Sequence, residues 1–199
     1  MRQLSTIPLL LATTALLLGC AGDSTASEPA AEPTPESAPA PAPAPAGGTP
    51  ITAEGLTFNL PDGWTPEEPS SSMRIGQATI PGSGGAGQLA VFFFGPGGGG
   101  GAEANISRWV SQVASSDEPL RETFASGNLS ITWIDSSGTL KRSTIGSFPT
   151  EDMPDYRLFG AVVEGEGGPW FLKAVGPQAT MAEQRDAFIA MLKGATLGG

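Results

Sequence analysis

The sequence contains no histidine, and its 199 residues include a single cysteine. Without histidine there is no imidazole general base, no Ser-His pair and no histidine ligand for a metal. The lone cysteine has no disulfide partner within the chain. No Ser-x-x-Lys motif occurs, so a lysine-activated serine is missing as well. We therefore expect a protein that is not an enzyme and needs no cofactor.

Positive charge is scarce. The chain has 10 Lys and Arg residues against 20 Asp and Glu residues, a net charge of −10. From residue 51 onward there are nine basic and sixteen acidic residues, a net charge of −7. Nucleic acids and anionic lipid headgroups are bound through basic faces. We therefore expect neither of these among the partners.

The chain also lacks a long apolar run. Its first apolar stretch, Leu9–Gly19, has eleven residues, whereas a bilayer-spanning helix takes about 20. That length is typical of the apolar region of an export signal. The stretch ends in LLGC at residues 17–20, which resembles the lipobox of bacterial lipoproteins. The resemblance implies that Cys20 is acylated and anchors the chain in a bilayer, and Ala21 favours the outer membrane over the inner one. The alternative is an ordinary signal peptide with an incidental cysteine.

The next segment has the composition of a linker. Residues 21–50 hold eight prolines and four acids, with no Lys or Arg and no large apolar side chain. Such a segment cannot offset the entropy of folding, and its Ala-Pro alternation favours an extended chain that reaches up to roughly 90 Å. We therefore predict a signal peptide at 1–19, a lipidated cysteine and disordered linker at 20–50, and one globular domain at 51–199 that faces the periplasm.

The domain has the pattern of a mainly antiparallel sheet with two helices. Gly- and Ser-rich segments at 135–138 and 165–168 are typical of hairpin connections. The predicted strands are 56–60, 73–80, 88–94, 121–125, 128–134, 139–145, 156–164 and 170–175. The first helix is indicated by apolar residues at helical spacing: Ile106, Trp109, Val110 and Val113.

The second helix is expected to begin in a capping box. Thr180 and Glu183 stand at the spacing at which their side chains and backbone amides bond reciprocally. Gly194 is expected to end the helix in a left-handed conformation. Its buried face is predicted to contain Phe188, Ile189, Met191 and Leu192.

A family resemblance extends these predictions. Residues 58–64 (FNLPDGW) and the closing strand 170–175, followed by Gly-Pro and an amphipathic helix, resemble the PsbP-like fold. That family includes the lumenal extrinsic subunit of photosystem II and many exported bacterial domains. The resemblance implies an α+β fold with an antiparallel sheet flanked by helices on both faces. The segment 105–112 (NISRWVSQ) is also similar to that of uncharacterised bacterial lipoproteins.

A glycine run stands between strand and helix. Gly95, Gly97 and Gly100 satisfy Gly-x-Gly-x-x-Gly, which raises the hypothesis of a dinucleotide site. Against it, the neighbouring strands are predicted to be antiparallel, and Glu103 would place a negative charge where a phosphate would bind. We therefore interpret the run as a flexible connection and expect no nucleotide.

A polar stripe on the first helix is the candidate binding site. Asn105, Arg108 and Gln112 are spaced by three and four residues and lie beside Trp109. Either they satisfy loop carbonyls near the glycine run, or they recognise a protein partner. We predict a membrane-anchored, non-enzymatic binding or assembly module of the bacterial cell envelope with a protein partner.

The alternative function is a small-ligand carrier or a carboxylate-based enzyme. In it, Asp155 and Glu164 would converge with Arg74 in a pocket. Arg74 and Lys173 lie in apolar strands, where a cationic tip at the sheet rim is the simpler interpretation. The acidic turn 151–155 lacks the spacing of a calcium loop, so a calcium site there is a minor alternative and no metal is expected.

Overall fold

The structure, a computed structural model, describes residues 48–115, 117–143 and 149–198. The predicted signal peptide, Cys20 and the linker up to residue 47 lie outside these ranges. The strands are β1 Pro50–Ala53, β2 Leu56–Asn59, β3 Thr65–Glu67, β4 Arg74–Ile80, β5 Gly87–Phe93, β6 Val113–Ala114, β7 Leu120–Ser126, β8 Leu129–Leu140, β9 Met153–Glu164, β10 Trp170–Pro177 and β11 Thr196–Leu197. The helices are α1 Ala102–Val110 and α2 Gln178–Lys193.

The strands form two sheets. The large sheet has the order β3-β4-β5-β10-β9-β8-β6, with β7 also paired to β8, and the small sheet has the order β1-β2-β11. Every pairing between described strands is antiparallel. The prediction of a mainly antiparallel α+β domain is therefore confirmed. The short strands β1, β3, β6 and β11 were not predicted, because two to four residues carry too little alternation to be read.

Alternating side chains of the large sheet divide the core into two clusters. Along β10, Leu172 and Ala174 belong to the first cluster, and Phe171 and Val175 belong to the second. Consecutive side chains of a strand point to opposite faces. The first cluster contains Phe188, Met191 and Leu192 of α2, as the sequence predicts, and the predicted Ile189 packs against it partly buried. It also contains Met181, which was not predicted. The second contains Ile106 and Trp109 of α1.

Helix α1 is shorter than its apolar pattern indicates. It ends at Val110, and Val113 lies in β6, where it is buried in the same cluster as Trp109. Trp109 packs against β9 at Gly160, where a Cβ atom would lie 2.3 Å from the indole Cε3. Gly160 therefore creates the space that seats the helix.

The predicted hairpin at residues 135–138 is wrong, because β8 runs unbroken from Leu129 to Leu140. Asp135 is 6% exposed. The guanidinium of Arg157 donates to both of its carboxylate oxygens at 2.6 Å, and Arg185 Nε donates to Oδ2 at 3.1 Å. Two arginines thus compensate a carboxylate that would otherwise be expelled from a strand interior. We call Arg157, Asp135 and Arg185 the arginine triad.

The predicted start and end of α2 are also wrong. The helix begins at Gln178 after Pro177, without a side-chain cap. Thr180 instead donates to the carbonyl of Gly85 at 2.7 Å and accepts from the amide of Gly84 at 3.1 Å. Glu183 accepts from the amide of Ser83 at 3.1 Å. Tertiary bonds to the turn after β4 therefore replace the capping box. Gly194 has a φ of −87°, so the helix does not end in a left-handed residue.

Candidate functional site

The polar stripe on α1 is mostly bonded within the protein. Asn105 is 4% exposed, and its Nδ2 donates to the carbonyls of Gly99 and Gly101 at 3.0 and 3.1 Å. Arg108 is exposed and donates to Asn105 Oδ1 at 3.0 Å. Of the two interpretations of the stripe, the contacts of Asn105 match the satisfaction of loop carbonyls. Arg108 is the member that faces solvent.

Trp109 and Gln112 point into the protein. Trp109 is 5% exposed and belongs to the core. Gln112, which follows the helix, accepts a hydrogen bond from the ammonium of Lys173 on β10. Of the three residues of the stripe and Trp109, only Arg108 is exposed.

The glycine run is a defined turn rather than an open phosphate cradle. The amide of Gly97 donates to the carbonyl of Gly168 at 3.0 Å, and the amide of Gly98 to that of Gly95 at 2.9 Å. A Cβ at Gly99, where φ is +77°, would lie 2.5 Å from the ring of Phe171. At the helix start, Glu103 pairs with Arg121 at 2.5 Å. The carboxylate of Glu103 is therefore paired with Arg121 and not with the amides at the start of the helix.

A polar cavity lies elsewhere on the large sheet. We call it the Arg74 cleft; its volume is about 420 Å³, and it is lined by Glu67, Ser70, Arg74, Thr79, Ala86, Gly87, Gln88, Tyr156 and Val175. These residues come from β3, β4, β5, β9 and β10 and the segments beside them. Val175 also belongs to the cluster that contains α1.

Two glutamines hold the guanidinium in the cleft. Arg74 Nη1 donates to Gln77 Oε1 at 2.6 Å and to Gln88 Oε1 at 2.8 Å. A register shift between residues 74 and 76 interrupts the pairing of β4 with β5 and sets the start of the strand. Gln77 is paired with Ala90, whose side chain is small, and Gln88 lies on the same face of β5 two residues before Ala90. The Arg74 side chain can therefore reach both amides. Burial lowers the pKa of Arg74 from its usual value, although an arginine remains charged.

Glu67 is the carboxylate of the cleft, and other groups engage it. Gln77 Nε2 donates to its Oε2 at 2.9 Å, and the Thr79 hydroxyl donates to its Oε1. These bonds, with that of Thr79 the stronger influence, lower the pKa of Glu67. Because Gln77 donates to Glu67, its carbonyl oxygen must face Arg74. The amide of Gln77 therefore lies between the guanidinium of Arg74 and the carboxylate of Glu67 and bonds to both.

Lys173 adds a second cation beside Arg74. It alternates along β10 with Leu172 and Ala174 of the α2 cluster, so it points to the side of Val175 and α1. Burial first, and the charge of Arg74 second, lower its pKa to about 8. Within the described ranges, neither Lys173 nor Arg74 takes part in an ion pair. Two cations thus lie close together with only neutral amides as direct partners.

The carboxylates of the alternative function do not reach this cleft. The residues lining the cavity of Arg74 include neither Asp155 nor Glu164, which are exposed. In the acidic turn, hydrogen bonds from the amide of Arg142 and from Lys141 hold the pKa of Asp152 below its usual value. In the part of the chain that the structure describes, no three acidic side chains converge as a metal site would require.

Sequence reasoning missed the glutamines. Gln77 and Gln88 are polar residues on adjacent strands: Gln77 is paired with Ala90, and Gln88 is paired with Thr79, two residues further along β4. Polar interruptions of two adjacent strands beside an arginine are the signal that would have located the cleft. Among the described residues no helix is both long and apolar enough to span a bilayer. Compared with models of protein families and with curated proteins, the sequence has no match.

Proposed function

We propose that this chain is a lipid-anchored, non-enzymatic binding module of the bacterial cell envelope, with an acyl group on Cys20 and its domain in the periplasm. The outer membrane is the favoured location because Ala21, rather than aspartate, follows the cysteine. The linker would let the domain stand away from the bilayer and reach a protein partner.

We further propose a PsbP-like arrangement for the domain. Its support is the division of the core into two clusters. Residues of α1 belong to one cluster and residues of α2 to the other, and the two clusters contain alternate side chains of the same strands. Helices that bury alternate side chains of a strand cover opposite faces of its sheet. The family resemblance of residues 58–64 and 170–175 implies the same arrangement.

The observation that carries the binding function is a surface patch around the glycine run. Phe94 is 50% exposed, and its ring stacks on Phe92 and leans on Phe171, with centroids 6.4 and 5.9 Å apart. The run lies against Phe94 at Gly99 and is tied to Asn105, which in turn receives the bond from Arg108. We call Phe94, Gly95–Gly101, Asn105 and Arg108 the glycine-loop patch.

The composition of this patch favours a protein partner. Aromatic rings and arginines are enriched where proteins meet, and rigid anchors lose little entropy on binding. Phe94 supplies an apolar anchor that its aromatic neighbours hold in place. Arg108 supplies a charged donor for the rim. The glycine backbone between them allows close approach, since a Cβ at Gly95 or Gly97 would have no atom within 4 Å.

In-cell crosslinking followed by mass spectrometry tests this proposal. A Phe94→Ser/Arg108→Ala double variant should lose an envelope protein that crosslinks to the wild type, and circular dichroism should show an unchanged fold. The matched control is Met73→Ser/Arg142→Ala, because Met73 is 54% exposed and Arg142 is exposed, both outside the patch. The control should retain the partner. Equal crosslinking in both double variants would contradict the proposal.

The anchor needs a separate experiment. In Cys20→Ala the acylation site is absent, so we expect the protein to move from the membrane fraction to the soluble periplasmic fraction. Metabolic labelling with a fatty-acid analogue should mark the wild type and leave the variant unmarked. Labelling of both proteins would contradict acylation at Cys20.

A further inference from the structure

We propose that the Arg74 cleft binds a small organic anion, whose carboxylate or phosphate group pairs with the Arg74 guanidinium. A volume of about 420 Å³ is within the range of small-molecule sites. This site is separate from the glycine-loop patch and does not depend on the protein partner proposed there.

The first support is the unused donors of Arg74. Nη1 is fixed by Gln77 and Gln88. Nε and Nη2 form no hydrogen bond with the described residues, so donors remain for a ligand. A guanidinium offers parallel N–H groups that match the two oxygens of a carboxylate or a phosphate. Because the glutamines already hold the side chain, an anion would meet an oriented group.

The second support is the balance of charge. Arg74 lines the cleft, and Lys173 lies near enough to feel the charge of Arg74, whereas Glu67 is the one carboxylate among the lining residues. Both oxygens of Glu67 accept hydrogen bonds, from Gln77 and from Thr79. A partly buried cation without a carboxylate partner is unfavourable. A bound anion would supply the missing charge, which explains why a strongly acidic protein keeps two cations together.

The remaining lining residues indicate the body of the ligand. Tyr156, the only tyrosine of the chain, and Val175 supply apolar surface. Thr79 and Ser70 supply hydroxyls. A bare inorganic ion would leave most of the cavity unfilled. An organic acid or an organic phosphate of a few carbons, with hydroxyl or carbonyl groups, fits this lining.

Isothermal titration calorimetry of the whole protein in neutral detergent tests the site. The probes are succinate, a small dicarboxylate, and inorganic phosphate. We expect the wild type to bind at least one probe and Arg74→Gln to weaken that binding by about tenfold or more, as the loss of a charge-assisted pair does. Tighter binding of succinate would assign carboxylates, and tighter binding of phosphate would assign phosphates.

The matched control is Arg142→Gln, which removes the same charge from an exposed arginine outside the cleft. It should bind within about twofold of the wild type, because distant surface charges are screened by salt. If Arg142→Gln weakened binding of the probe as much as Arg74→Gln, the effect would come from net charge alone, and the proposal would be overturned. The failure of both probes to bind the wild type at about 10 mM, which exceeds the range of weak millimolar sites, would also overturn it.

Arg74→Lys is the second variant, in case Arg74→Gln does not fold. Lysine keeps the charge but cannot present two parallel donors. We expect it to weaken binding of the same probe by about threefold to tenfold. Wild-type affinity in a folded Arg74→Lys protein would overturn the role of the guanidinium.

Discussion

The arginine triad and the Arg74 cleft both hold arginine side chains against the large sheet, but the partners of these arginines differ. In the triad, Asp135 receives three hydrogen bonds from Arg157 and Arg185, and the two guanidinium groups also lie over Phe159 and Trp133 at 5.5 and 5.2 Å. In the cleft, Arg74 bonds only to side-chain amide oxygens among the described residues, and the neighbouring Lys173 bonds to the amide oxygen of Gln112. The carboxylate of the triad is paired within the chain, whereas the guanidinium of Arg74 has no carboxylate partner among the described residues.

This difference separates charges that hold the fold from charges that are available to a ligand. A buried carboxylate that loses its partners is strongly destabilising. Neutralising a partly buried cation that has no counter-ion is expected to stabilise the folded protein. The two regions therefore predict opposite responses to removal of a charge, and the following variants test them in order of expected effect.

The largest effect is expected for Asp135→Asn. The amide would leave two arginines facing each other without a negative charge, so the free energy of unfolding should fall by about 3–5 kcal/mol. Urea denaturation measures this. Asp186→Asn is the control, since its side chain is 97% exposed at 3.7 Å from Arg185, and it should leave the midpoint unchanged. A small loss in Asp135→Asn would show that the triad is not structural.

The opposite sign is expected for Lys173→Met. The lowered pKa of about 8 means that the folded protein holds this charge at a disadvantage at pH 7. Methionine keeps the apolar length of the side chain, so the free energy of unfolding should rise by about 1–3 kcal/mol. Urea denaturation at pH 7 measures the change. A decrease would show that the bond to Gln112 outweighs the burial of the charge.

The pH dependence should identify the same group. Below pH 8 Lys173 is protonated in the folded and the unfolded chain, so the folded state carries the full penalty. Above pH 8 the folded protein loses this proton first, so its stability relative to Lys173→Met should rise until the pH nears the usual lysine value of about 10.4. Denaturation of both proteins at several pH values isolates this contribution. Parallel curves would contradict the lowered pKa.

The smallest change in stability is expected for Gln88→Glu. The new carboxylate would keep an oxygen near Arg74 Nη1, now 2.8 Å from Gln88 Oε1, and so would complete the cleft as Asp135 completes the triad. For a partly exposed pair the gain in unfolding free energy should be about 1 kcal/mol or less. Binding of succinate or phosphate should fall by about tenfold. Calorimetry and denaturation together check this, and undiminished binding would refute the analogy.

Most strands of the large sheet could be predicted because apolar and polar residues alternate along them or because they are largely apolar, as in β9 and β10. The sequence also placed Phe188, Met191 and Leu192 on the buried face of α2. It failed where tertiary partners override local chemistry. Asp135 is a residue type that is typical of turns. It lies within a strand because it is paired with Arg157 and Arg185, which are 22 and 50 residues away in the sequence.

The candidate sites show the same limit. The spacing of Asn105 and Arg108 correctly indicated one side of α1, but spacing cannot reveal that Asn105 binds the carbonyl of Gly99. Arg74 stood out as a cation in a strand. Its glutamine partners could not be assigned, because the register of β4 on β5 shifts at a bulge that no local pattern marks.

The position of β10 has a consequence for the way the chain is made. It lies between β5 and β9 in the large sheet and follows every other strand of that sheet in the chain. On a ribosome or in a translocation channel, the segments β3–β5 and β6–β9 can each form pairs, but their joining waits for residues 170–177. Such long-range closure is slow. A nascent chain that cannot complete its main sheet early stays unfolded for longer, which would suit the export across a membrane that we propose.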